Sequence, residues 1–146
     1  MTRYQRLRPS VRFSPPRTRE AVALLVGDLC LVAVLITLGL LRHNISDPWQ
    51  YPGYLGSRIA PFVLGWLLVA PFFGLFEGER LLSYRTSLLP VIPAWITAAV
   101  LGATLRVVGT SGGAGPVFIA VMVVFGLLVL VPWRLAVVVL SRRLAR

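Results

Sequence analysis

Few side chains in this sequence could do chemistry, and their positions say more than their number. There are five acidic residues and fifteen basic ones, and every basic residue is an Arg. Asp28 and Arg134 both fall inside long apolar runs, and Arg106 falls near the end of another. An ionisable group in such a run is costly and usually faces protein or water rather than lipid. Asp28 lies seven residues into its run, and Arg134 lies six residues from the end of its own. At the rise of a helix these are depths of about 10 Å and about 9 Å from the same side. Matching depth predicts that Asp28 and Arg134 meet, joining the first run to the last. The competing reading has Arg134 snorkelling to headgroups, with Asp28 satisfied by a hydroxyl or by Arg17. Arg106 has the same two readings, snorkelling or attraction of anions toward the outer mouth.

Catalytic constellations are otherwise missing from the sequence. His43 is the only histidine, which excludes a His-pair metal site and the zinc-protease motif. It flanks the first run and reads as an interfacial residue. Cys30 is the only cysteine, so no intrachain disulfide forms, and it reads as a small hydrophobe. Glu77 and Glu79 share a short loop with Arg80 and Arg85 and read as a solvated turn. The stretch Gly109-Thr110-Ser111-Gly112-Gly113-Ala114-Gly115 lacks the Lys-Ser/Thr ending of a phosphate loop and reads as a linker. Asn44-Ile45-Ser46 fits the acceptor pattern for glycosylation at Asn44. The expectation is no catalytic residue, no metal and no cofactor.

The elements that must position these charges follow from composition. The chain has 146 residues, 57% hydrophobic and 14% charged, with mean hydropathy +0.80. A soluble domain is nearer half apolar and a quarter charged, and one this small still exposes much of its surface. An integral membrane protein is what remains. A spanning helix needs about 20 mostly apolar residues. Four segments qualify, at about 21–41, 59–76, 88–108 and 117–140. None alternates like a barrel strand, and helices satisfy their own backbone in lipid. The fold class predicted is all-α, an integral membrane four-helix bundle over residues 20–141. An Arg-rich N-tail (1–19), expected to be disordered, precedes it, and a basic C-tail (142–146) comes after it. The first run is too long for the apolar core of a signal peptide and has no cleavage site after it, so it is read as a retained span.

Charge then orients the bundle. With the N-terminus inside, eleven Arg residues lie on the cytoplasmic side, six of them in the first nineteen residues. Only Arg42, Arg58 and Arg106 lie toward the outside. The positive-inside rule therefore predicts N-in and C-in, which agrees with an even number of spans. The net charge of +10 becomes an orientation signal rather than a nucleic-acid footprint. The tail Arg residues can also lie against anionic lipid. Trp49, Tyr51 and Tyr54 in the first outer loop, and Trp133 toward the inner end of the last span, fit the aromatic belts of a bilayer.

Packing has its own signal. Ala94, Ala98 and Gly102 recur every four residues on the third span, and Ala99 and Ala103 broaden that small face. Such faces let membrane helices approach closely, which predicts a central third span. Pro61 and Pro90 are expected in first turns, and Pro71 and Pro132 inside helices as kinks.

Gly27-Asp28-Leu29, Pro61-Phe62-Val63-Leu64-Gly65-Trp66-Leu67, Leu105-Arg106 and Pro132-Trp133-Arg134, in this order across four spans, resemble an uncharacterised prokaryotic family of small membrane proteins, domain of unknown function 3054. The likeness covers roughly residues 20 to 140. It implies four membrane helices, brings no activity, and adds weight to Asp28, Trp66, Arg106 and Arg134. The reading of function is a non-enzymatic accessory or structural subunit of the plasma membrane. Its partners are the lipid bilayer and either another membrane protein or a second copy; nucleic acid is not among them. The alternative is a small oligomeric transporter or channel using Asp28 and Arg134 in the inner leaflet. An intramembrane enzyme stands third.

Overall fold

The first helix starts where the sequence offers a cap. The Thr18 hydroxyl accepts from the Ala21 amide at 3.2 Å, satisfying one of the free N–H groups of a helix start, and Glu20 stands in the positive first turn. From there α1 runs Arg19–Arg42 and closes on His43, whose amide bonds the Leu40 carbonyl at 3.1 Å. Its buried residues, Ala21, Leu24, Asp28, Val32 and Ile36, form one stripe at helical spacing. The computed structural model describes residues 18–43, 48–77, 84–109 and 113–144. Asn44, Glu79, Arg80, Arg146 and residues 1–17 of the N-tail lie outside the described residues. The side chain of Arg142 does too.

The remaining elements are α2 (Pro52–Val69), α3 (Tyr84–Leu88), α4 (Val91–Gly109) and α5 (Pro116–Leu144). Tight turns at Pro48–Gln50 and Ala70–Phe73 flank α2. Among the described residues, four helical stretches are long and apolar enough to cross a membrane: Arg19–Arg42, Pro52–Phe73, Tyr84–Gly109 and Pro116–Ser141. Among the described residues there is no strand, and the architecture is an all-α four-helix membrane bundle.

Three boundaries differ from the sequence reading, each for a local reason. The second helix begins at Pro52, seven residues earlier than hydropathy suggested. Its first turns carry Gly53, Gly56, Ser57 and Arg58, which lower hydropathy without preventing helix. Tyr54 therefore sits on this helix rather than in the preceding loop, and Pro61 lies in the helix interior rather than the first turn. Pro71 does not kink a continuing helix. It enters a tight 3₁₀ turn that ends the span, because proline has no N–H to extend the ladder. Gly74 then adopts φ 65°, a left-handed conformation open to glycine. Finally, α5 continues through Pro132 to Leu144, so the start of the expected C-tail is helical.

The core is built on close approach. The face of α4 formed by Ala94, Ala98, Ala99, Gly102 and Ala103 is buried, and α2 makes the most extensive helix–helix contact with α4. A Cβ on Gly65 would stand 2.6 Å from the Ala98 carbonyl oxygen, and one on Gly102 would stand 2.7 Å from the Phe62 ring. Small residues here substitute backbone contact for the hydrophobic drive that lipid removes. On the other side of α4, Trp95 lies against Gly126 of α5 and donates its indole N–H to the Met122 carbonyl at 3.1 Å.

Candidate functional site

Asp28 of α1 and Arg134 of α5 meet in the interior, and neither has exposed surface. The Arg134 Nη2 donates to Asp28 Oδ2 and forms the ion pair, while Arg134 Nε donates to Asp28 Oδ1 at 3.4 Å. This is a forked, two-point contact of the kind that guanidinium and carboxylate geometry favours. Arg134 Nη1 donates to the Leu75 carbonyl at 3.2 Å. The Trp66 indole N–H donates to Asp28 Oδ2 at 3.3 Å. Four segments thus converge on one charge pair: α1, α2, the turn after α2, and α5.

Each partner has a local cause. Pro71 ends the second span and Gly74 reverses the chain, with the Gly74 amide bonding the Pro71 carbonyl at 3.2 Å. This turn leaves the Leu75 carbonyl outside any helix ladder and directed at Arg134. Trp66 is fully buried and stacks edge-on against Trp95, centroids 5.8 Å apart. The Arg134 guanidinium also lies 5.5 Å from the Phe76 ring and 6.0 Å from the Trp66 ring, within range of cation–π attraction. Gly27 lies against the Trp133 ring, which occupies the space a side chain would need. The Trp133 Nε1 is buried and makes no hydrogen bond among the described residues. The pairs Gly27-Asp28 and Trp133-Arg134 are therefore two halves of one joint.

The structure separates the remaining candidates from this joint. Arg106 lies at the other end of the bundle, its guanidinium 4.6 Å over the Phe118 ring. Ala94, Ala98 and Gly102 pack helices and hold no ligand group. Cys30 is exposed on α1. The hydroxyls of Thr37, Thr97 and Thr104 each donate to the carbonyl four residues back, at 2.8, 2.8 and 2.9 Å. Among the described residues no group of three His, Cys, Asp or Glu could hold a metal ion. The Trp66 and Leu75 contacts to the charge pair were not anticipated. Trp66 had a signal in its motif, whereas a backbone carbonyl has none in sequence.

A family model described as "Protein of unknown function (DUF3054)" matches residues 25–137. The chain belongs to the DUF3054 family. The matched region contains Asp28, Trp66, Leu75 and Arg134, and also Arg58 and Arg106. The match to DUF3054 and the four apolar helices together make this an integral, multi-pass membrane protein. No curated protein and no solved structure shows a significant match.

Proposed function

We propose that this DUF3054 member is a non-enzymatic subunit of the plasma membrane, with both termini in the cytoplasm. In this role it packs against another membrane protein or a second copy of itself. The observation that carries the reading is how fully the Asp28–Arg134 pair is used up. Its charged atoms are spent on each other, on the Trp66 indole and on the Leu75 carbonyl, with no surface exposed. A charge pair so enclosed acts as a clasp between the first and last spans.

The alternative, an oligomeric transporter, needs a wet path to Asp28 and polar groups along it. The span hydroxyls of Thr37, Thr97 and Thr104 are turned onto their own helices, which favours the subunit reading. Two experiments divide the readings. Gentle detergent extraction should recover the chain with a stoichiometric partner or as a stable oligomer; a solitary monomer would count against the subunit role. Reconstitution into proteoliposomes should give no solute or ion flux. Flux that disappears in a folded Asp28→Asn variant would establish the transporter instead.

A further inference from the structure

The clasp fixes a level in the bundle from which other charges can be measured. Asp28 of α1 and Arg134 of α5 touch there, and Trp66, which donates to Asp28, stacks edge-on against Trp95 of α4. Toward one end of the bundle, each of these three helical paths carries an exposed Arg at nearly the same distance. Arg19 lies nine residues before Asp28, Arg143 nine residues after Arg134, and Arg85 ten residues before Trp95. Arg19 and Arg143 share their helices with the clasp residues, and Arg85 belongs to the helical stretch Tyr84–Gly109. The segment that carries Arg85, α3, also packs against α5. Nine residues of helix span about 13.5 Å, and Asp28 lies about 10 Å inside its apolar run. The three Arg residues therefore stand just past the hydrocarbon edge, at headgroup level. The second span stops near the clasp itself, where Leu75 meets Arg134.

The direction of these side chains decides what they can bind. A step of nine residues turns a helix through about two and a half revolutions. Arg19 and Arg143 thus stand on the faces opposite Asp28 and Arg134, looking out of the bundle. All three Arg residues are exposed. Their guanidinium groups make no ion pair and no hydrogen bond among the described residues. Glu20 follows Arg19 on α1 without pairing to it. Tyr84, exposed beside Arg85, suits the same interfacial level. Divergent groups do not enclose one small anion together, because that needs convergent forks. Each can meet a separate headgroup in the surrounding leaflet.

We propose that Arg19, Arg85 and Arg143 form a cationic rim that binds anionic phospholipid headgroups around this end of the bundle. Guanidinium forks match phosphate oxygens in geometry as well as charge. An Arg close to an anionic membrane surface is worth about fivefold in association. The rim belongs to folded helices, so its charges are held at a fixed distance from the clasp. It does not depend on the protein partner proposed above, because headgroups surround the bundle with or without one.

The test uses the full chain in phosphatidylcholine nanodiscs that contain a small fraction of spin-labelled lipid. The signal of lipid immobilised against the protein gives the association of phosphatidylglycerol relative to phosphatidylcholine. The expected result is a preference for phosphatidylglycerol of about fivefold or more, falling as salt is raised. The triple variant Arg19→Gln, Arg85→Gln and Arg143→Gln, with the N-tail intact, should lose most of this preference. If it does not survive extraction, each single Gln variant should lose part of it. The corresponding triple Lys variant keeps the charges and should keep most of the preference. No preference for phosphatidylglycerol would overturn the proposal. So would a preference that persists in the Gln variants, which would assign it to the N-tail, or one that disappears in the triple Lys variant.

Discussion

Asp28 and Arg134 are not interchangeable partners, although they carry opposite charges. Arg134 faces an acceptor, the Leu75 carbonyl, whereas Asp28 faces a donor, the Trp66 indole. Removing either charge strands the other in a dry interior, which in buried pairs costs about 3–5 kcal/mol. Asp28→Ala and Arg134→Ala should each lower the melting temperature in detergent sharply. The charge swap, Asp28→Arg with Arg134→Asp, should recover only part of the loss. The swapped guanidinium would confront the Trp66 N–H, and the swapped carboxylate would confront the Leu75 carbonyl. Replacing both residues by apolar ones, Asp28→Leu with Arg134→Met, should recover more than the swap, because no charge is then left buried. Full recovery by the swap would show that the Trp66 and Leu75 contacts contribute nothing. Asp28 and Arg134 were legible in the sequence because lipid makes any intramembrane charge conspicuous. Their neutral partners were not, since a backbone carbonyl becomes a ligand only through the turn that frees it.

At the scale of elements, the glycines divide into those that touch and those that do not. Gly65 meets the rigid backbone of Ala98, whereas nothing lies within 4 Å of a Cβ on Gly39. Gly65→Ala should therefore cost about 1–3 kcal/mol, the usual range for forcing atoms into a packed core. Gly39→Ala should be neutral or slightly stabilising, because alanine loses less backbone freedom in a helix. Parallel thermal scans of the two variants check this, and equal effects would contradict the close α2–α4 packing. The four spans were readable because a bilayer imposes length and hydropathy on any helix that crosses it. The start of α2 was not, since Gly53, Ser57 and Arg58 read as loop while the backbone remains helical. The end of the second span escaped too, because Pro71 permits either a kink or a stop. Gly74, in a left-handed turn three residues later, decides for a stop.

At the scale of the whole molecule, the outward faces of α1 and α5 are the least enclosed by protein, with 28% and 17% of their apolar windows buried. These faces suit lipid or a partner helix. The orientation is open to a direct test in a Cys30→Ala background. Gly113→Cys should react with a membrane-impermeant thiol reagent in intact cells, and Arg143→Cys only after the membrane is opened. The reverse pattern would place both termini outside. The clasp also bears on how the chain is made. Its two charges are 106 residues apart, and a ribosome adding about 5–20 residues per second needs roughly 5–20 s to cover that distance. For that interval the first span waits in the membrane with an acid whose partner has not been synthesised. A chain truncated before Arg134 never leaves that state. The same pair that holds the finished bundle is therefore absent from an unfinished one, and it forms only once the last span is in place.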